Sequence, residues 1–368
     1  MINVVYLDYS KTCPISFEAL DTYTKASKEY IGDYSASNKL GIKALNSLKQ
    51  STKEIADLFN IMESEITFTS GATEANNLAL IGVAMANHKK GKHIIVSKLE
   101  DASMYQICDY LSSIGFEISY VENDKEGLVD FEDLKRLVKE DTILVSISAV
   151  NNAMGIRQPL KMIRQIIKKE NPNVLLHSDV SQGIGKIGIN FHDVDLASVS
   201  SHKIFGPKSI GFLYCNDIVN IAPLMYGTKD LNVYQVSIPL VLAFATALKT
   251  ALNDLEKKEH FISRLNEKIV NSLESYEDIY INKTKYSIAH ILSLSLPNNS
   301  AGLIEKYLSE KDIFVGYEDG LNTTVMAVYQ DKKRASSTIR ISLSYKTTTD
   351  EIKEFIAQFI KAYEQYGK

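Results

Sequence analysis

The chain is poor in cysteine, in proline and in surplus charge, and each shortage closes off a class of function. Its 368 residues hold three cysteines, Cys13, Cys108 and Cys215, which are scattered, odd in number and form no CxxC pair. That argues against a disulfide framework and against a structural zinc site. The 7 histidines show no HExxH or comparable metal spacing, and they read as surface or core residues. The formal net charge is −4, so nothing points to a nucleic-acid partner. No apolar run approaches the ~20 residues a membrane helix needs. The first nine residues run straight into a short apolar strand and lack a signal-peptide pattern. The expected location is therefore the cytoplasm. Only 7 prolines occur, and neither repeats nor a low-complexity linker marks a sharp boundary.

What is present is an α/β pattern long enough for two domains. Hydrophobic residues make up 45% and charged residues 23%, as in ordinary globular proteins. Residues 40–60 place Leu40, Ala44, Leu48, Ile55 and Leu58 at helical spacing. Strands are expected over residues 66–69, 93–97, 117–121, 142–147, 173–179, 195–199 and 209–215, with helices through about residue 87, from about residue 103, and over 160–169. Strands alternating with helices predict a mostly parallel sheet covered on both faces. The rhythm changes near residue 255. Charged helices come first, then strands over 290–296 and 339–344 with period-two alternation, then an amphipathic helix from about Asp350. A large domain over 15–255 and a smaller α+β domain from 1–14 and 256–368 follow.

Open α/β sheets bind ligands at the carboxyl ends of their strands, and three such ends carry chemistry. At Ser70-Gly71-Ala72-Thr73 a strand ends, a glycine allows a turn and a helix begins. Free backbone N–H groups and the Thr73 hydroxyl make that an anion site, though many αβ turns look alike. Asp179 ends a buried strand, where a carboxylate is costly unless paired; a helix cap is the plainer alternative. Lys203 follows the strand at 195–199. Alone it reads as a surface lysine, yet a lysine at a buried strand end is an expensive choice for structure. Together these residues supply what pyridoxal 5'-phosphate requires: an amine, a carboxylate for the ring nitrogen, and donors for a phosphate.

The blocks Tyr6-Leu-Asp-Tyr-Ser10, Phe68-Thr-Ser-Gly-Ala-Thr-Glu74, Asn151-Asn152-Ala-Met-Gly155, His177-Ser-Asp179-Val-Ser-Gln182 and Ser200-Ser-His-Lys203-Ile-Phe-Gly-Pro-Lys208 resemble the cysteine desulfurases. The resemblance runs from about residue 5 to 360. It implies a fold-type I enzyme of the class-V aminotransferase group, with a seven-stranded large domain and pyridoxal phosphate as cofactor. It implies that Lys203 bonds covalently to the cofactor and shuttles the substrate's α-proton, that Asp179 pairs with the ring nitrogen, and that Gln182 bonds the ring's phenolic oxygen. Thr73, Ala72, Ser200 and His202 would hold the phosphate, and Asn152 would contact cofactor or substrate. Arg340, in Ser336-Ser-Thr-Ile-Arg340, would grip the carboxylate of an amino-acid substrate. Relatives of this kind are homodimers, and Ser237 stands where they place a threonine that reaches the partner's phosphate.

Three departures concern the substrate end. The stretch from Val315 to Arg334, where desulfurases carry a loop cysteine, has none, and Cys13 and Cys108 belong to other regions. Cys215 reads as a small packed hydrophobe. Asp101 takes the place of the histidine that stacks on the ring; it serves either as an acid or base or as space-filler. Tyr234 stands where an arginine is expected before the partner-reaching residue. Persulfide-forming turnover is therefore doubtful on the sequence, while elimination at a cysteine-like substrate, or transamination, stays open. A non-catalytic partner protein keeping the fold is the alternative. Gly183-Ile-Gly185-Lys-Ile-Gly188 matches a dinucleotide fingerprint, but no amphipathic helix follows it.

Overall fold

The computed structural model describes residues 4–227 and 236–367. Among the described residues twelve strands are found: β1 Val5–Leu7, β2 Ile66–Thr69, β3 His93–Ser97, β4 Glu117–Val121, β5 Thr142–Ser146, β6 Leu175–Asp179, β7 Leu196–Ser200, β8 Gly211–Cys215, β9 Tyr280–Asn282, β10 Ile291–Ser295, β11 Ile313–Tyr317 and β12 Thr338–Ser342. They form two sheets. The first has seven strands in the order β2-β8-β7-β6-β5-β3-β4. All its pairings are parallel except those of β8, which runs against both β2 and β7. The expected mostly parallel, seven-stranded α/β architecture is the one observed.

Side chains alternate across this sheet, and both faces are covered. Ile95, Val145, Leu176, Ala197 and Phe212 belong to one core with the helix Ile238–Leu252. Ile94, Val96, Leu144, Leu196 and Leu213 belong to another, beneath the helix Ala72–Asn87. Such double coverage is why these strands read as continuous apolar runs. On the helix Lys39–Phe59 the buried stripe is Gly41, Ala44, Ser51, Ile55, Ala56 and Phe59, while Leu40 and Leu58 of the expected stripe stay exposed.

The second sheet has the order β1-β11-β12-β10-β9. Its apolar residues, among them Leu7, Leu292, Leu294, Ile313, Ile339 and Ile341, pack on helices Leu255–Leu273, Ala301–Ser309 and Thr349–Tyr366. The period-two alternation over 290–296 exists in residue type but not in exposure. Ser293 and Ser295 are as buried as the leucines between them, because each accepts a hydrogen bond from Asn282 Nδ2, at 3.0 and 2.8 Å. The polar positions are thus satisfied inside the protein rather than in water.

Candidate active site

The order β2-β8-β7-β6, with β8 reversed, puts the carboxyl ends of β2, β7 and β6 on one edge of the large sheet. Thr73, Lys203 and Asp179 stand just beyond or at those ends. All three line one cavity of about 590 Å³, a size typical of small-molecule sites.

After β2 the chain turns at Gly71, whose φ of +149° suits glycine and almost no other residue. Gly211 lies so close that a Cβ there would meet Gly71 Cα at 2.9 Å and Val199 O at 2.3 Å. The helix Ala72–Asn87 begins at once, so the N–H groups of Ala72 and Thr73 have no acceptor within the helix. Ser200, the last residue of β7, and His202 line the same cavity. His202 Nδ1 bonds Thr12 Oγ1 at 2.9 Å. Burial and the neighbouring Lys203 push its imidazole down to about 4, so it is neutral at pH 7.

Lys203 sits on a short 3-10 turn, Ser201–Lys203. That turn is closed by Gly206, where a Cβ would fall 2.0 Å from Ser201 Oγ. Its Nζ donates to the carbonyls of Ser10 and Lys11 at 2.6 and 2.8 Å. Burial, and then the Arg340 charge, lower the ammonium below its usual range, while Asp179 opposes them. Neutral amine is thereby made more available near pH 7.

Asp179 is held at both oxygens. Asn76 Nδ2 reaches Oδ2 at 2.9 Å and the Ser181 N–H reaches Oδ1 at 2.9 Å. The helix cap that the sequence offered as an alternative is not found: the residues after Asp179 form turns rather than a helix, and the Ser181 contact is a local turn bond. It takes one oxygen only, and a carboxylate has lone pairs to spare for a further donor. Two residues upstream, His177 lies between Ser146 Oγ and Ser198 Oγ at 2.8 and 3.0 Å. Burial takes it down to about 3, so it sits under the site as a neutral spacer.

Gln182 is buried, its Nε2 on Ser10 O at 2.8 Å and its Oε1 on Lys186 Nζ at 2.8 Å. Asn152 Nδ2 donates to Asp101 Oδ2 at 3.0 Å, and both residues line the cavity. Asp101 also caps the helix Ala102–Ser113 through the Ser103 N–H. It is therefore a helix cap with one oxygen turned to Asn152.

Arg340 and Ser237 are not among the residues lining the cavity. Arg340 Nη2 pairs with Asp8 Oδ1 at 2.9 Å, its Nη1 meets Asn152 O at 3.4 Å, and its buried Nε has no partner. Ser237 is exposed at the start of the helix Ile238–Leu252. Tyr234 lies outside the described residues. Cys13 lies outside the loop stretch, as expected, yet it packs against the site. Its Sγ contacts the Lys203 carbonyl at 3.3 Å, because the segment after β1 runs beneath Lys203, but the thiol is buried and burial pushes its pKa up.

Sequence reasoning passed over Ser10, Thr12, Asn76, Glu100 and Lys186. The Ser10 carbonyl is the shared acceptor of Lys203 and Gln182, and a backbone acceptor leaves no sequence signal. Glu100 is buried, and burial pushes it up to about 8; it accepts from the N–H and hydroxyl of Ser148. The sequence does carry a signal for Lys186, a lysine inside an otherwise apolar and glycine stretch, and the resemblance of that stretch to a dinucleotide motif masks it.

One cavity thus holds an amine, a carboxylate and a cluster of hydroxyl and N–H donors at a helix start. That donor set fits pyridoxal phosphate, which carries an aldehyde, a basic ring nitrogen and a phosphate.

The sequence matches the aminotransferase class-V family over residues 5–355. It is 34% identical to the NifS/IcsS protein homolog of Lactobacillus delbrueckii subsp. bulgaricus, over 99% of this chain and 98% of that protein. It is 32% identical to the cysteine desulfurase IscS of Buchnera aphidicola subsp. Schizaphis graminum, over 98% of this chain and 93% of that one. Among solved structures, a NifS-like protein superposes with a TM-score of 0.94 at 31% identity, covering 98% of this chain and all of that one.

Proposed function

The chain belongs to the class-V aminotransferase family, in its cysteine desulfurase branch, and from that premise we propose a pyridoxal-phosphate enzyme that breaks the C–S bond of a cysteine-like amino acid without a resident loop thiol. The observation that carries this is the convergence of Lys203, Asp179 and Thr73 on one cavity at three strand ends. On this reading residues 15–255 form the cofactor unit, and residues 1–14 with 256–368 the smaller one.

Each residue then has a task. Thr73 and Ser200, with the N–H groups of Ala72 and Thr73, hold the phosphate, and neutral His202 adds a donor. Asp179 holds a proton on the ring nitrogen. When bound, the cofactor supplies an electron sink that stabilises negative charge at the substrate α-carbon. Lys203 anchors the cofactor and takes the α-proton; its lowered pKa makes a neutral amine available for both. Arg340 receives the substrate carboxylate in exchange for Asp8, a trade its unpartnered Nε favours. Asn152 and Asp101 border the substrate. Two chains pair as a homodimer, with Ser237 turned to the partner's cofactor.

The chain has no cysteine after Cys215, so the segment leading to Arg334 offers no thiolate to take sulfur from the substrate. A lyase route needs none. The α-proton leaves to Lys203, the electron pair expels hydrosulfide from the β-carbon, and hydrolysis of the remaining enamine gives pyruvate and ammonia. The test is to incubate the loaded protein with L-cysteine and measure products. Sulfide, pyruvate and ammonia in equal amounts are expected. Alanine in place of pyruvate means that an external thiol serves as sulfur acceptor and overturns the lyase route. No sulfide at all overturns the C–S reading.

A further inference from the structure

The turn after Asp179 carries a second buried lysine. Lys186 is 8% exposed, and its Nζ donates to Gln182 Oε1 at 2.8 Å. Lys203 and Arg340 repel its charge, Cys13 faces it, and His290 lies close enough to feel it. No carboxylate stands among these neighbours. Burial accordingly brings the ammonium down to about 8. A lysine placed in a dry site without a counter-charge is an expensive way to fill space.

What Lys186 does to Gln182 follows from hydrogen-bonding sense alone. An ammonium only donates and a carbonyl only accepts. Gln182 lies between the two, with Lys186 Nζ at its oxygen and Ser10 O at its nitrogen, each 2.8 Å away. Both contacts force the same orientation of the amide. Ser10 O takes one of the two N–H bonds of Nε2, and the other is left for the cavity that Gln182 lines.

We propose that Lys186 is a positioning residue: by occupying Gln182 Oε1 it keeps the amide NH2, and not the amide oxygen, turned toward the phenolate oxygen of the cofactor ring. This rests on the assignment of Gln182 made above. A donor at that oxygen competes with the proton on the lysine-bound nitrogen, and so holds down the pH midpoint at which the visible band of the loaded protein titrates.

The experiment is a pH titration of that band in Gln182→Ala, Lys186→Met, Lys186→Gln and the double variant Gln182→Ala/Lys186→Met. Gln182→Ala and Lys186→Met are each expected to raise the midpoint, by on the order of half a pH unit or more. The double variant is expected to match Gln182→Ala. Lys186→Gln keeps a donor without the charge and is expected to stay near the parent protein; it decides the matter even if Lys186→Met does not fold. A midpoint unmoved by Gln182→Ala removes the Gln182 assignment itself. A shift with Gln182→Ala but not with Lys186→Met overturns the role of Lys186 alone. So does a Lys186→Met shift that adds to that of Gln182→Ala, or a full shift in Lys186→Gln, since Lys186 then acts through its charge.

Discussion

At the scale of single residues, the site sets cations against one another and lets burial choose the winner. The Arg340 charge lowers the proton affinity of Lys203 and Lys186, and Lys203 lowers that of Lys186 further; of the three, Arg340 is the one in an ion pair with a carboxylate, Asp8. Arg340→Ala should cut kcat/KM for the amino-acid substrate by ~10–100-fold through KM, the worth of charge-assisted hydrogen bonds of about 1.5–3 kcal/mol. An unchanged KM would count against its proposed role. Lys203 and Asp179 were legible in the sequence because apolar runs mark where buried strands end, and ligand chemistry gathers at such ends. The Asp8–Arg340 pair was not legible. It joins residues 332 apart through a bridge between Asp8 and Ser342, at the end of β12, and local pattern carries no information about that pairing.

At the scale of elements, strand ends and helix starts do the positioning, and Glu100 ties two of them. It follows β3 and bonds Ser148, which follows β5. Burial raises its carboxyl from 4.5 to about 8. The sign follows by linkage: between pH 4.5 and 8 the folded state binds more protons than the unfolded one, so this group's contribution is full below pH 4.5 and is lost as pH rises through 8. An amide does not titrate. The melting temperature of the parent protein relative to Glu100→Gln should therefore fall between pH 5 and pH 9. A constant difference across that range would show that Glu100 is ionised throughout. The sequence drew attention to the neighbouring Asp101 and passed Glu100 by, since a glutamate next to an aspartate reads as solvated surface. The strand expected over 290–296 is found as β10, and its burial is likewise not written in its alternation. Ser293 and Ser295 look solvent-facing in sequence, and only the hydrogen bonds from Asn282 reveal that they are buried.

At the scale of the whole molecule, two sheets meet around the segment after β1. Its Ser10 carbonyl receives Lys203 and Gln182, while Asp8 just before it receives Arg340 from the second sheet. A change in how the sheets sit would reach Lys203 through that segment. The fold itself was readable from the alternation of strands and helices, because each buried strand carries its burial in its own composition. The convergence on the N-terminal segment was not, because it is made by backbone carbonyls. The assignment of the anchoring amine is open to a chemical test that does not depend on knowing the substrate. The protein is loaded with pyridoxal phosphate, reduced with borohydride, digested and mapped by mass. The added mass is expected on the peptide bearing Lys203 and absent in Lys203→Ala; cofactor mass on Lys186 or Lys208, or on no lysine, would contradict the site.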